Sequence, residues 1–357
     1  MPIKENVLSS RAAPRPRGVF VISLDFELYW GVRHAPSVAK YFGNLRGARA
    51  AVVALLKLFA EYEIHATWAT VGFLFFESTD ALLRFAPTLR PLYQNPKLSP
   101  YDDLPPREAM ETPESIFFAP SLIRLIAKSA HQEIGTHSFS HYYALEPGQN
   151  VETFRQDMQS AYAVAEAFGL QLRSMVFAKN QCNKEYLGAC SDWGITSYRG
   201  TPPSWPYRAA DDKTYRAYHR RLIRLLDTYL PISPACYQMP MPSSELPLNL
   251  PASHFLRPYS RLLAPLETMR LQRIKHEMTA AASSGKVYHL WWHPHNFGAN
   301  LELNLAFLRK ILEHYRQQRD RYGLESLNMS ELTDRCFMSS PTYQTTEKTG
   351  NFETPSA

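Results

Sequence analysis

Two pairs of histidines lie four residues apart in this chain, His137/His141 in THSFSH and His289/His293 in HLWWH, more than chance placement of 12 histidines would supply. In THSFSHYY a strand is expected to end at Thr136 and a helical turn to follow, setting both imidazoles on one side, about 5–6 Å apart at Cβ. Two such nitrogens and a carboxylate can hold a divalent cation and leave positions open for water and substrate. Hydrogen-bonded histidines without a cation are the plain alternative. The carboxylates lie in ISLDFE. Asp25 closes a strongly apolar run, where a buried charge is costly unless paired or coordinated. Glu27 has the same parity in an extended chain, so both can face one cavity. One can bind metal while the other accepts a proton from water; an Asp25 that merely caps the strand end is the competing reading. His289 and His293 share a face of an extended segment. His293, just before Pro294, is placed to protonate an amine leaving group. His289 lies deeper and reads as a core residue, and Trp291 and Trp292 read as core residues or sugar-stacking platforms.

The elements that must position these residues alternate along the chain. GVFVISLDF (18–26) is a β-branched run suited to a strand buried on both faces. Val52, Leu55, Leu56 and Phe59 recur at helical spacing, IHATWATVGF (64–73) returns to strand character, and QEIGTH (132–137), RSMVFA (173–178), Ile195–Tyr198 and VYHLWW (287–292) read as further strands. Helices are expected at 122–130, 151–168, 184–193, 263–284 and 301–321, with a short strand near Leu327. Such βα repetition predicts a parallel sheet with helices outside, a barrel or a doubly wound layer. Both architectures put functional residues beyond the carboxyl ends of strands. That rule selects Asp25 with Glu27, Thr136 to His141, Lys179 with Asn180, and His293 to Asn296. Proline-rich stretches at 84–116 and 201–258 read as insertions into a single domain spanning 18–337. Residues 1–17 read as a flexible lead-in and 338–357 as a polar tail.

Composition limits the function classes. With 45% hydrophobic and 20% charged residues, the chain of 357 residues is an ordinary globular one. No apolar run reaches the ~18 residues of a membrane span. The opening MPIKENVLSSRAAPRPRG lacks the apolar core of a secretory signal, so a cytoplasmic location is expected. A net charge of +6 without Lys/Arg blocks reads as a mildly basic surface with no nucleic-acid partner. The four cysteines form no CxxC and read as reduced thiols.

Taken in order, SLDFE (23–27), HATWATVG (65–72), THSFSH (136–141), VFAKNQ (176–181) and HLWWHPHN (289–296) resemble the motifs of the polysaccharide deacetylases that share the NodB homology domain, related to carbohydrate esterase family 4. The resemblance spans roughly 18–330 apart from the insertions. It implies a distorted (β/α)7 barrel and metal-dependent hydrolysis of an N-acyl group on an amino sugar. Position by position, Asp25 matches the catalytic base, His137 and His141 the metal-binding pair, and His293 the general acid. Lys179 stands where many members have an Arg that orients the base. The usual motif has two adjacent aspartates, the second a metal ligand. Here Phe26 takes that place, which leaves open whether Asp25 or Glu27 holds the metal. Zinc is the expected ion, and Trp30, Asn180, His295 and Asn296 are the expected substrate contacts. A lipid-linked or nucleotide-linked sugar suits the expected location. Two other readings keep the fold: an amidohydrolase acting on a cyclic imide or other non-sugar amide, and a degenerate barrel that only binds glycans. The sequence specifies no oligomeric state.

Overall fold

The computed structural model describes residues 16–34, 38–112, 114–241 and 247–339. The expected tails at 1–17 and 338–357 lie outside them apart from 16–17 and 338–339. Among the described residues ten strands form one curved sheet: β1 (Val19–Phe26), β2 (Ala66–Thr70), β3 (Gln132–Thr136), β4 (Ser174–Met175), β5 (Ser197–Tyr198), β6 (Cys236–Tyr237), β7 (Leu248–Asn249), β8 (His254–Phe255), β9 (Val287–Trp292) and β10 (Glu325–Ser326). Every residue of β1 is buried, as its unbroken apolar run requires of a strand covered on both faces. Parallel pairing runs β9–β1–β2–β3–β4–β5–β7.

The segment 248–256 closes the ring. β7 pairs with β5 and Ala252 donates to the Gly200 carbonyl, while β8 pairs with β9 through Ser253 N–H to His289 O and Leu256 N–H to Trp291 O. Seven strand positions therefore surround the interior, the distorted β/α barrel that the motifs imply. The stretch 201–258, expected to be wholly inserted, instead contributes that closing segment at its carboxyl end. Its preceding part, 201–233, is the true excursion and carries the helix Tyr218–Asp227.

Helices Val38–Tyr62, Pro120–Lys128, Val151–Ala167, Glu267–Ser284 and Leu301–Tyr322 cover the outside. A final helix, Met329–Met338, not anticipated, starts at a reciprocal cap between Asn328 and Glu331. The registers Asp25↔Ala69, Thr70↔Thr136, Thr136↔Met175, Met175↔Tyr198 and Leu24↔Trp292 bring the strand ends to one level. Residues just past them, Glu27, His137, Arg199 and His293, consequently share one mouth. All four cysteines are free, and among the described residues no helix is long and apolar enough to cross a membrane.

Candidate active site

The backbone at this mouth is unusually constrained. Among the described residues seven non-glycine positions have positive φ, and five of them (Leu28, Ser138, His141, Lys179 and Asn180) border the site. Such conformations cost about 1–3 kcal/mol each and persist where surrounding contacts over-determine them. The bracing is visible for THSFSH. Asp157 accepts from the backbone N–H groups of Phe139 and Ser140 and from the Ser140 hydroxyl. Residues 137–141 thus form a pinned loop rather than the expected helical turn, and this loop brings the imidazole centroids of His137 and His141 to 5.0 Å.

Asp25 and Glu27 face the same cavity, as their parity requires, but their partners differ. Arg199 NH1 and NH2 donate to the two oxygens of Asp25 at 2.7 and 2.8 Å, a bidentate pair in which neither side chain is more than 5% exposed. Burial alone would raise the Asp25 pKa, but the Arg199 guanidinium together with the His137 and His293 rings outweighs it and holds the carboxyl below its ordinary value. Arg199 is itself held. NH1 donates to Ser23 Oγ at 3.1 Å, NH2 donates to Asn180 Oδ1 at 3.0 Å, and the Trp291 ring lies 4.1 Å from the guanidinium carbon. Ser23 Oγ in turn bonds His289 Nε2 at 2.8 Å, so His289 is the packed core histidine expected, kept neutral by burial with a pKa of about 3.

Glu27 Oε2 meets His141 Nε2 at 3.0 Å and His137 Nε2 at 3.3 Å, all three buried. The seat of Glu27 depends on Gly31, where an added Cβ would fall 1.9 Å from the Glu27 carboxyl carbon. These donors fit a divalent cation. His137 Nδ1 lies 2.7 Å from the Val176 carbonyl, which can only accept, so Nδ1 carries the hydrogen and a neutral ring turns its Nε2 lone pair toward a carboxylate oxygen. Two acceptors face each other there, which a cation between them relieves; the other relief is a second proton. Burial opposes that proton, but Glu27 and Asp25 outweigh it and raise the His137 pKa. Burial lowers the His141 pKa to about 4, leaving a neutral ring. His141 Nδ1, the Tyr143 hydroxyl and His34 Nδ1 form a chain with steps of 3.1 and 3.2 Å. Burial lowers the His34 pKa to about 2, so His34 can accept from Tyr143 and His141 Nδ1–H can donate to it. That tautomer frees the His141 Nε2 lone pair for a cation as well.

His293 stands on the open side. Its side chain is 22% exposed against 5% or less for Asp25, Glu27, His137 and His141, so it faces whatever enters. Nε2 lies 3.4 Å from Glu27 Oε1 and 3.8 Å from Asp25 Oδ2, and Nδ1 accepts from the Asn296 amide at 3.2 Å, which places the hydrogen on Nε2. Glu27, His293 and His295 form a second group with metal-ligand spacing around the same carboxylate. His295 is buried, neutral with a pKa lowered to about 3 by burial, and its Nδ1 has no hydrogen-bond partner among the described residues.

Two sequence expectations need correction. Lys179 does not reach Asp25: in its left-handed turn it donates to Asp212 Oδ1 at 2.8 Å and lies over the Tyr143 ring, and Arg199 takes the orienting position instead. Trp30 is fully buried between Phe73 and Phe117 and donates to the Phe117 carbonyl, so it contacts no substrate. Asn180 and Asn296 act on Arg199 and His293, and His295 sits beneath the surface. Sequence reading missed Arg199, Ser23, Tyr143, His34 and Asp157. Only Arg199 carried a usable signal, as the first residue after a strand.

No family profile and no curated protein sequence matches the chain. Several solved structures share its fold. A candidate polysaccharide deacetylase from Mycobacterium smegmatis aligns with TM-score 0.56 at 15% identity, over 91% of this chain and 92% of that one. Puue allantoinase aligns with TM-score 0.55 at 12% identity, over 96% and 99%. A 4-alpha-glucanotransferase from Thermococcus litoralis aligns with TM-score 0.50 at 12% identity, over 90% of this chain but 40% of that one. The fold is that of the NodB-like polysaccharide deacetylases, as the motifs imply.

Proposed function

We propose that this protein is a metal-dependent hydrolase that removes an N-acyl group, acetyl being the simplest, from an amino sugar. The observation that carries this reading is the division of labour between two carboxylates two residues apart. Glu27 sits with His137 and His141, while Asp25 is held apart by Arg199. Glu27, His137 and His141 would hold the cation, with zinc suited to two imidazoles and one carboxylate. When bound there, the cation supplies Lewis acidity toward the acyl oxygen and the attacking water.

The remaining chemistry belongs to the chain. Asp25, kept ionised by Arg199, takes a proton from the water as its oxygen attacks the acyl carbon. Arg199 fixes the direction of the Asp25 oxygens. His293, entering this step with both ring nitrogens protonated, gives its Nε2 proton to the nitrogen as the C–N bond breaks and is left as a neutral ring, so the products are a carboxylic acid and a free amine. Asn296, whose side-chain amide meets Nδ1, orients the ring so that Nε2 faces the site for that transfer.

The test is acetate release from N-acetylglucosamine oligomers and glycosides by protein of known metal content, before and after chelation. Metal-dependent release supports the reading, and release that survives complete metal removal overturns it. The near-complete overlap with an allantoinase favours one second reading, hydrolysis of a cyclic non-sugar amide. Ring opening of a cyclic amide, followed through the appearance of its free carboxylate before and after chelation, decides between them.

A further inference from the structure

A cavity of about 230 Å³ leads away from His293 and Trp291, between the excursion helix Tyr218–Asp227, the closing segment 253–257 and the helix Glu267–Ser284. Four arginines line it: Arg224, Arg257, Arg270 and Arg273. Two are matched by carboxylates. Arg273 pairs with Asp227 and Glu277, and Arg270 pairs with Glu267. Among the described residues Arg224 and Arg257 have no carboxylate partner. There Arg224 donates only to the carbonyls of Pro206 and Tyr215, and Arg257 donates only through Nε, to Thr228 Oγ1 at 2.9 Å. Both terminal nitrogens of Arg257 therefore have no partner among the described residues. The Nε of Arg270 and Nε2 of His254, on the same walls, are buried and equally unpartnered. Burial, and for Arg257 the nearby Arg224 and Arg270, hold the guanidinium groups of Arg224, Arg257 and Arg270 below their ordinary pKa.

Positive charge without a counter-charge, in a partly desolvated cavity that opens beside the general-acid position, is a site built for an anion. We propose that the cavity binds a phosphoryl group carried by the sugar substrate, with Arg257 as its principal ligand and Arg224 as a second positive charge. This rests on the amino-sugar reading above and narrows its substrate to glycosyl phosphates. Planar guanidinium nitrogens suit phosphate oxygens in pairs. The outer face of the helix that supplies Arg224 exposes Tyr218, Leu222 and Leu226, so the carriers compared must include a lipid as well as a nucleotide.

Titration of the full-length, metal-loaded protein with inorganic phosphate tests the anion site directly. The expected result is saturable binding that weakens about tenfold or more in Arg257→Met and less in Arg257→Lys. Absence of binding, or equal binding by wild type and Arg257→Met, overturns the inference whatever the hydrolase assay shows. If Arg257→Met does not fold, Arg224→Met provides the comparison. In the activity arm, free N-acetylglucosamine is compared with its uridine diphosphate and polyprenyl diphosphate forms. A lower KM for either phosphorylated form, lost in Arg257→Met while kcat is kept, supports the inference and identifies the carrier, whereas equal KM values for all three overturn it. Arg257-dependent phosphate binding without acetate release from any sugar would instead sink the deacetylase reading and leave the anion site standing.

Discussion

Arg199 and Asp25 form a buried two-pronged pair, each guanidinium nitrogen on its own carboxylate oxygen, although 174 positions separate them in sequence. The pair fixes both the charge and the direction of the carboxylate. Removing Arg199 would leave a buried, unpaired anion, so Arg199→Met is expected to lose about 3–5 kcal/mol of stability. The sign of the pH effect follows from burial. Burial raises the Asp25 pKa and Arg199 lowers it, so the variant has a higher pKa and the acid limb of kcat/KM moves to higher pH. Arg199→Lys should restore part of both effects. A pH–rate profile with an unmoved acid limb would show that Asp25 is not the base.

Metal content separates the two carboxylates. Glu27→Gln is expected to purify without stoichiometric metal, and Tyr143→Phe, which breaks the chain behind His141, to bind metal about 10–100-fold more weakly. Elemental analysis and competition with a chromogenic chelator read both, and full metal occupancy in Glu27→Gln would count against the assigned ligand.

His293 can be tested as acid rather than ligand. His293→Ala is expected to lower kcat about 10²–10⁴-fold while metal affinity stays unchanged. A parallel loss of metal would transfer the ion to the alternative group of Glu27, His293 and His295.

How much of this was legible in the sequence varied with the range of the interaction. The β1 run and the matching parity of Asp25 and Glu27 are local properties of an alternating backbone, so they were readable directly. The approach of His137 and His141 was readable from spacing, but its cause was not, because the loop owes its shape to Asp157 on a helix beginning 10 residues after His141. Arg199 directly follows the expected strand at 195–198, but its pairing with Asp25 is a product of barrel registration, which spacing along the chain does not encode. Lys179 looked suitable because it follows a strand in a motif-like context, yet a local turn at φ 52° sends it to Asp212. The closing strand was hidden by its shortness. Its ladder pieces, Leu248–Asn249 and His254–Phe255, are two residues each in proline-rich surroundings.

Lys179 gives the matching negative prediction. Lys179→Met should leave the acid limb of the pH–rate profile in place and change stability by about 1 kcal/mol. A shifted acid limb would show that the lysine acts on the base after all.

Asp157 predicts a pH-dependent stability. Burial raises its pKa from 3.8 to about 6, so the folded chain holds this proton more tightly than the unfolded chain. Its contribution is fully present below pH 3.8 and is lost as pH rises through about 6. Across that window the wild type should lose stability relative to Asp157→Asn, by up to about 3 kcal/mol. Denaturant titrations of both proteins at several pH values measure the difference, and parallel curves would contradict it.

The nine residues from Leu248 to Leu256 complete the ring of strands, and their carboxyl end borders the arginine-lined recess. That side of the recess cannot yield without breaking main-chain bonds to β9, so it acts as a fixed gauge for whatever is threaded past His293. Room for a bulkier guest must come from the 201–233 excursion opposite, and the range of molecules admitted can be retuned there while the reacting groups stay undisturbed.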